Sequence, residues 1–151
     1  MMTAYVLRPA VPEDYDPIAG VVDDWWGRPV LPLLPRLFLD HFHRTSLVAE
    51  REDGRMAGFL IGFPSPSLPD EAYIHFVGVS PEARAGGVGR SLYDRFFAIA
   101  RDHGRRTVKA VTSPVNAPSI AFHRRMGFTV GDPVPGYAGP GTALVTFERA
   151  I

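Results

Sequence analysis

The stretch Arg84-Ala85-Gly86-Gly87-Val88-Gly89 decides how this chain is read, because it joins two segments of different periodicity. Before it, Tyr73-Ile74-His75-Phe76-Val77-Gly78-Val79 is β-branched and aromatic and stops at Ser80-Pro81-Glu82, which predicts a strand. After it, Val88, Leu92, Phe96, Ile99 and Ala100 recur at helical spacing with charged residues between them, and Gly104 supplies a stop. A strand-to-helix turn this poor in side chains leaves main-chain N–H groups converging on one place, where the helix adds the positive end of its dipole. The turn is a candidate cradle for phosphate. A tight turn alone would not need Gly86, Gly87 and Gly89 together ahead of so regular a helix.

Composition narrows the classes. A chain of 151 residues fits one domain, residues 1–151, and buries on the order of two-thirds of the surface its unfolded form exposes. Sixteen acidic and sixteen basic residues give no general field for nucleic acid or for an anionic membrane, so neither is expected as a partner. The absence of cysteine excludes a thiol nucleophile, disulfides and Cys-rich zinc sites, and His41 and His43 have no carboxylate cluster nearby in sequence, so no metal is expected. No apolar run approaches the ~20 residues of a membrane span and no signal segment is seen, which makes a cytoplasmic protein the expectation.

Outward from the glycine turn, the elements alternate. Tyr5-Val6-Leu7-Arg8 reads as a first strand, and Pro12-Glu13-Asp14 starts a helix that carries Tyr15, Ile18, Val21 and Val22 and ends near Trp26-Gly27. A second helix is expected over 35–42 with Leu37, Phe38 and Phe42 inward. Residues 45–50 and 56–63 form a hairpin across Asp53-Gly54, and 64–70 is a loop into the His75 strand. Thr107-Val108-Lys109-Ala110-Val111-Thr112 is a strand, a helix follows Asn116, and a Gly- and Pro-rich turn over 131–141, a candidate flap, precedes a last strand from Ala143. This order gives an α/β, layered α+β structure with a mixed sheet.

The motif Arg84-x-x-Gly87-x-Gly89 after a strand ending Val77-Gly78-Val79-Ser80-Pro81 resembles the acetyl-CoA pyrophosphate loop of the GNAT superfamily of N-acetyltransferases. A second segment, running from Asn116-Ala117-Pro118 through His123 to Gly127-Phe128, resembles that superfamily's later helix. The likeness is good over residues 45–130 and poor before them. It implies a largely antiparallel central sheet flanked by helices, with two parallel central strands splayed to admit acetyl-CoA. It also implies that main-chain groups of Ala85, Gly86, Gly87, Val88, Gly89 and Arg90 hold the pyrophosphate, with Arg84 framing the loop. Val77, Gly78 and Val79 would pair with the pantetheine arm, and Asn116, an ordinary helix cap, would also touch the cofactor. No Gly-Lys-Ser/Thr follows the glycines, so a Walker-type nucleotide site is disfavoured.

For the chemistry, the likeness points to a base on the strand before the loop and an acid four residues before Gly127. His75 occupies the first place; an imidazole titrates near pH ~6.5 and accepts a proton at neutral pH, although a histidine in an apolar strand is also an ordinary hydrogen-bonded residue. His123 occupies the second, where the family pattern most often has Tyr; it is read either as proton donor to the departing thiolate or as a packing residue. Tyr73 or Tyr93 would substitute as donor, and alternation places Tyr73, His75 and Val77 on one face. Trp25 and Trp26, beside Asp23 and Asp24, either receive a cationic amine or anchor a helix on the sheet. The expected activity is transfer of an acetyl group to a primary amine of a small molecule or peptide by direct attack in a ternary complex, with a homodimer possible. The alternative is a CoA-binding or sensing module without turnover.

Overall fold

Burial along residues 71–79 alternates strictly, with Ala72, Ile74, Phe76 and Gly78 buried and the odd-numbered residues half-buried, as a strand covered on one face requires. The structure, a computed structural model, describes residues 4–151. Its elements run β1 (Tyr5–Pro9), α1 (Tyr15–Trp26), α2 (Leu37–Phe42), β2 (Leu47–Arg51), β3 (Met56–Pro64), β4 (Glu71–Val79), α3 (Val88–Asp102), β5 (Thr107–Thr112), α4 (Ala117–Arg125), β6 (Thr129–Val130), β7 (Val134–Pro135) and β8 (Ala143–Ala150). They fall into two compact units, with β4 and α3 running from one into the other.

The first unit comprises the chain up to Phe63 together with Ile74–Ile99. Here β1 pairs antiparallel with β2, and β2 with β3 across the Asp53-Gly54 turn, where Gly54 takes φ 82°. The register jumps from Ala49↔Gly58 to Glu50↔Met56, so Ala57 is an extra residue on β3, a bulge that turns Met56 to the face of Glu50. Helix α1 packs Ile18 and Val22 into a core with Leu34, Leu39, Phe59, Ile61 and Phe76. It stops at Gly27, whose φ of 72° no β-carbon favours. In α2 the outcome differs from the expectation for one residue: the helix begins at Leu37 and not at Pro35, so its phase buries Leu39 completely and leaves Leu37 exposed. Two glycines of β3 make room for α3. A β-carbon on Gly62 would stand 2.5 Å from the Phe96 ring, and one on Gly58 2.9 Å from Val88, so Val88, Leu92 and Phe96 settle on bare backbone.

The second unit comprises Pro64–Tyr73 and Ala100–Ile151. Strand β5 pairs antiparallel with β8 along its whole length, from Thr107↔Ala150 to Thr112↔Val145, and β8 also carries β6 and β7. The Gly- and Pro-rich segment thus contributes a short strand on β8, giving three late strands where two were expected. On its other side β5 runs parallel to β4, from Glu71↔Thr107 to Tyr73↔Lys109. Followed through β4, the strand order is β1-β2-β3-β4-β5-β8-β6, antiparallel except at β4 and β5. This is the mixed sheet that the order of elements predicts, and the largely antiparallel sheet with helices that the resemblance implies.

Candidate functional site

In the first unit the candidate residues lie on one continuous path, from His75 along β4 and through a 3₁₀ helix, Pro81–Gly86, into α3. The bridging residue Gly87 adopts φ 77°, and a β-carbon on either Gly86 or Gly87 would meet nothing within 4 Å. These two glycines therefore front open space rather than packing. The first main-chain N–H matched from this turn into the helix is that of Ser91, to the Gly87 carbonyl at 3.0 Å. The N–H groups of Val88, Gly89 and Arg90 belong to the unmatched first turn, where anions are favoured. Arg84 turns back from this loop: Nε donates to the Val79 carbonyl at 3.4 Å, and Nη2 donates to the Trp25 carbonyl.

Strand polarity separates the three predicted β4 residues. Ser80 N–H bonds the Ala57 carbonyl on β3, and the Gly78 carbonyl lies beside Gly58 of β3. Alternation then turns the main-chain groups of Val77 and Val79 to the opposite edge. Gly78 has a different reason to be glycine, since a β-carbon there would stand 2.5 Å from the Phe59 ring.

His75 is half-buried, stacked on Phe38 with ring centres 3.9 Å apart and planes 7° from parallel. Its Nε2 lies 2.7 Å from the Leu33 carbonyl. A carbonyl only accepts, so Nε2 carries the hydrogen and Nδ1 is the basic nitrogen. Burial lowers the imidazole pKa from its ordinary 6.5, with the Leu33 bond opposing the shift, which keeps the ring neutral at pH 7. Nothing in the sequence signals either partner, because both come from the segment between α1 and β2, far from His75 in the chain.

The two tryptophans fit the anchoring reading. Trp25 stacks on Phe59 at 6.1 Å, and Trp26 lies 4.6 Å from Phe76 while its Nε1–H donates to the Val77 carbonyl at 3.1 Å. A cavity of about 430 Å³ is lined by Arg8, Asp14, Trp25, Glu50, Arg51 and Glu82 among others, and by neither His75 nor the glycine turn. Its charges answer one another: Arg8 with Asp14 at 2.8 Å and Glu50 at 2.6 Å, Arg51 with Glu82 at 2.9 Å.

In the second unit, Asn116 caps α4, with Oδ1 accepting from Ser119 N–H at 3.4 Å and Nδ2 donating to Thr112 Oγ1 at 3.1 Å. His123 is 5% exposed. Its ring stacks on Phe147 at 3.9 Å and 5°, and Nδ1–H donates to the Ser119 carbonyl at 2.8 Å. Burial pushes its pKa down to about 4, against the opposing Ser119 bond, so it is a neutral ring at pH 7. This surrounding fits the packing reading of His123 rather than the proton-donor reading. Tyr73 of this unit is pushed up to about 12 by burial and by Tyr137, and in the first unit the fully buried Tyr93 is pushed up by burial as well, so both phenols keep their protons.

Residues 11–128 match the family model described as the acetyltransferase (GNAT) family. The chain belongs to the GNAT acetyltransferase family. This GNAT chain is 38% identical over 86 residues to the L-2,4-diaminobutyric acid acetyltransferase of Nocardia farcinica, a stretch that is 57% of this chain and 44% of that one. It is 36% identical over 114 residues to the mycothiol acetyltransferase of Cellulomonas flavigena, covering 66% of this chain and 32% of the relative. The matched stretch is thus less than half the length of each of these relatives. The diaminobutyrate acetyltransferase EctA of Paenibacillus lautus, solved with L-2,4-diaminobutyric acid and coenzyme A, shares the fold at a TM-score of 0.75 and 22% identity, covering 98% of this chain and 95% of that one. Among the described residues no helix of this GNAT protein is long and apolar enough to cross a membrane.

Proposed function

We propose that this protein transfers the acetyl group of acetyl-CoA to a primary amine by direct attack within a ternary complex, with His75 as the base. One observation carries the reading: a basic nitrogen, a strand edge facing away from β3 and a helix first turn follow one another on the single path from His75 to Arg90. In this reading the N–H groups of Val88, Gly89 and Arg90 hold the diphosphate, and the open space before Gly86 and Gly87 admits it. The main-chain groups of Val77 and Val79 receive the pantetheine arm, and an N–H on that edge polarises the thioester carbonyl. Orientation supplies most of the rate, since attack needs only that amine and carbonyl meet in line.

The amine nitrogen forms a bond to the acetyl carbon, the carbon–sulfur bond breaks, and the proton shed by the nitrogen passes to His75 Nδ1. A neutral His75 is ready for that proton at pH 7, and the Leu33 carbonyl bond on Nε2–H steadies the imidazolium that forms. The departing sulfur leaves as thiolate; a thiol titrates near ~8.5, so its departure asks little of a general acid. That fits a His123 with its Nδ1–H committed to Ser119. The names of the relatives support small amino compounds as acceptors, and diamino acids lead the panel to be tried.

The test couples calorimetric binding of acetyl-CoA to thiol release in the presence of an amine panel that includes L-2,4-diaminobutyrate and a peptide N-terminus. His75→Gln is expected to lower kcat/KM for the amine by roughly 10²-fold or more while leaving acetyl-CoA affinity within about twofold. Equal losses in both would remove His75 as base. Acetyl-CoA binding without thiol release from any amine would leave a binding module in place of an enzyme.

A further inference from the structure

The end of α1 is clasped to the end of β4. Trp26 Nε1–H donates to the Val77 carbonyl at 3.1 Å, while Arg84 reaches the Val79 carbonyl and, from the same guanidinium, the Trp25 carbonyl. Because Gly78 and Ser80 are turned to β3, the Val77 and Val79 carbonyls are the acceptors on the opposite edge. A ligand laid along that edge as an added strand needs those same acceptors for its own amide N–H groups. Two of them are already taken by side chains.

We propose that Trp26 is a positioning residue whose indole is exchanged for the pantetheine arm: the indole N–H holds the Val77 carbonyl in the free protein, and an amide N–H of acetyl-CoA replaces it. The inference rests on the reading that the arm runs along Val77 and Val79. The exchange asks for a small movement, since Trp26 is the last residue of α1 and Gly27 follows it at φ 72°. The indole also lies 4.6 Å from the Phe76 ring and 5.6 Å from the Arg28 guanidinium, neighbours that hold the ring nearby once its N–H is released. The consequence reaches the base. The chain that continues from Trp26 supplies both groups that hold His75, the Leu33 carbonyl and the Phe38 ring, so cofactor binding at Val77 is felt at the imidazole before the amine arrives.

The chain has two tryptophans, so Trp25→Phe leaves Trp26 as the sole indole. In that variant the emission of Trp26 is expected to change as acetyl-CoA is added, with a midpoint equal to the Kd measured by calorimetry. Trp26→Phe keeps a ring against Phe76 but has no N–H to compete, and is expected to bind acetyl-CoA about 2- to 10-fold more tightly than the wild type. Calorimetric binding with unchanged Trp26 emission overturns the proposal, as does a folded Trp26→Phe protein that binds acetyl-CoA no more tightly. Should Trp26→Phe fail to fold, the emission titration decides alone. Absence of calorimetric binding to the wild type would instead overturn the acyl-CoA reading, and this inference with it.

Discussion

Lowering the pH from 7 to 5 is expected to destabilise this protein through His123, and comparison with a variant that lacks the imidazole isolates that residue. The native ring is 5% exposed and flat against Phe147, and its pKa is pushed from 6.5 down to about 4. In the unfolded chain the same imidazole returns to about 6.5 and binds a proton more readily, so stability rises with pH across this window. The contribution is complete above pH 6.5 and is lost as pH falls toward 4. At about 1.4 kcal/mol for each pH unit between the two pKa values, the full contribution is ~3 kcal/mol, of which ~2 kcal/mol is gone by pH 5. His123→Phe keeps an aromatic ring beside Phe147 and cannot titrate. Urea unfolding of both proteins at pH 7 and pH 5 is the assay, and the wild type is expected to lose ~2 kcal/mol more than the variant. Parallel losses would refute the reasoning, because they would mean that native His123 takes up its proton as easily as an exposed imidazole. A proton donor at that position would then again be chemically reasonable.

Three further outcomes follow from the glycines. Gly86→Leu introduces a side chain where nothing stands within 4 Å, so thermal stability is expected to hold while acetyl-CoA affinity drops by about tenfold or more; Gly87→Ala, at φ 77°, is expected to cost about 1–2 kcal/mol in urea unfolding. Unaltered affinity in Gly86→Leu, measured by calorimetry, would contradict the diphosphate cradle. Gly78→Ala places a β-carbon 2.5 Å from the Phe59 ring, and about 1–3 kcal/mol of overpacking is expected in urea unfolding even without ligand. An unchanged midpoint would show that Phe59 gives way.

Much of the site was legible because its parts are local. The proposed anion cradle is a run of backbone bounded by two periodic segments, and glycine content, a strand signal and a helix signal within a few residues suffice to nominate it. Asn116 with Pro118 announced a helix start for the same reason, and the structure caps α4 with that Asn116. The sequence also marked His75 and His123 by position, but gave the two rings the same standing. Their difference is made chiefly by aromatic and carbonyl neighbours distant in the chain. Leu33 and Phe38 hold one ring half-buried with a defined tautomer, whereas Phe147 and the turn of α4 seal the other away from water.

What the sequence alone determined was therefore most of the order of elements, the glycine-rich turn ahead of α3 and the residue types available for proton transfer, because periodicity and turn chemistry act over a few residues. Tertiary structure alone decided which strand carbonyls face away from β3, that Trp26 and Arg84 occupy them, and that burial leaves His123 a neutral ring. Those properties depend on desolvation and on hydrogen bonds between residues far apart in the chain, and neither leaves a periodic trace in the order of amino acids.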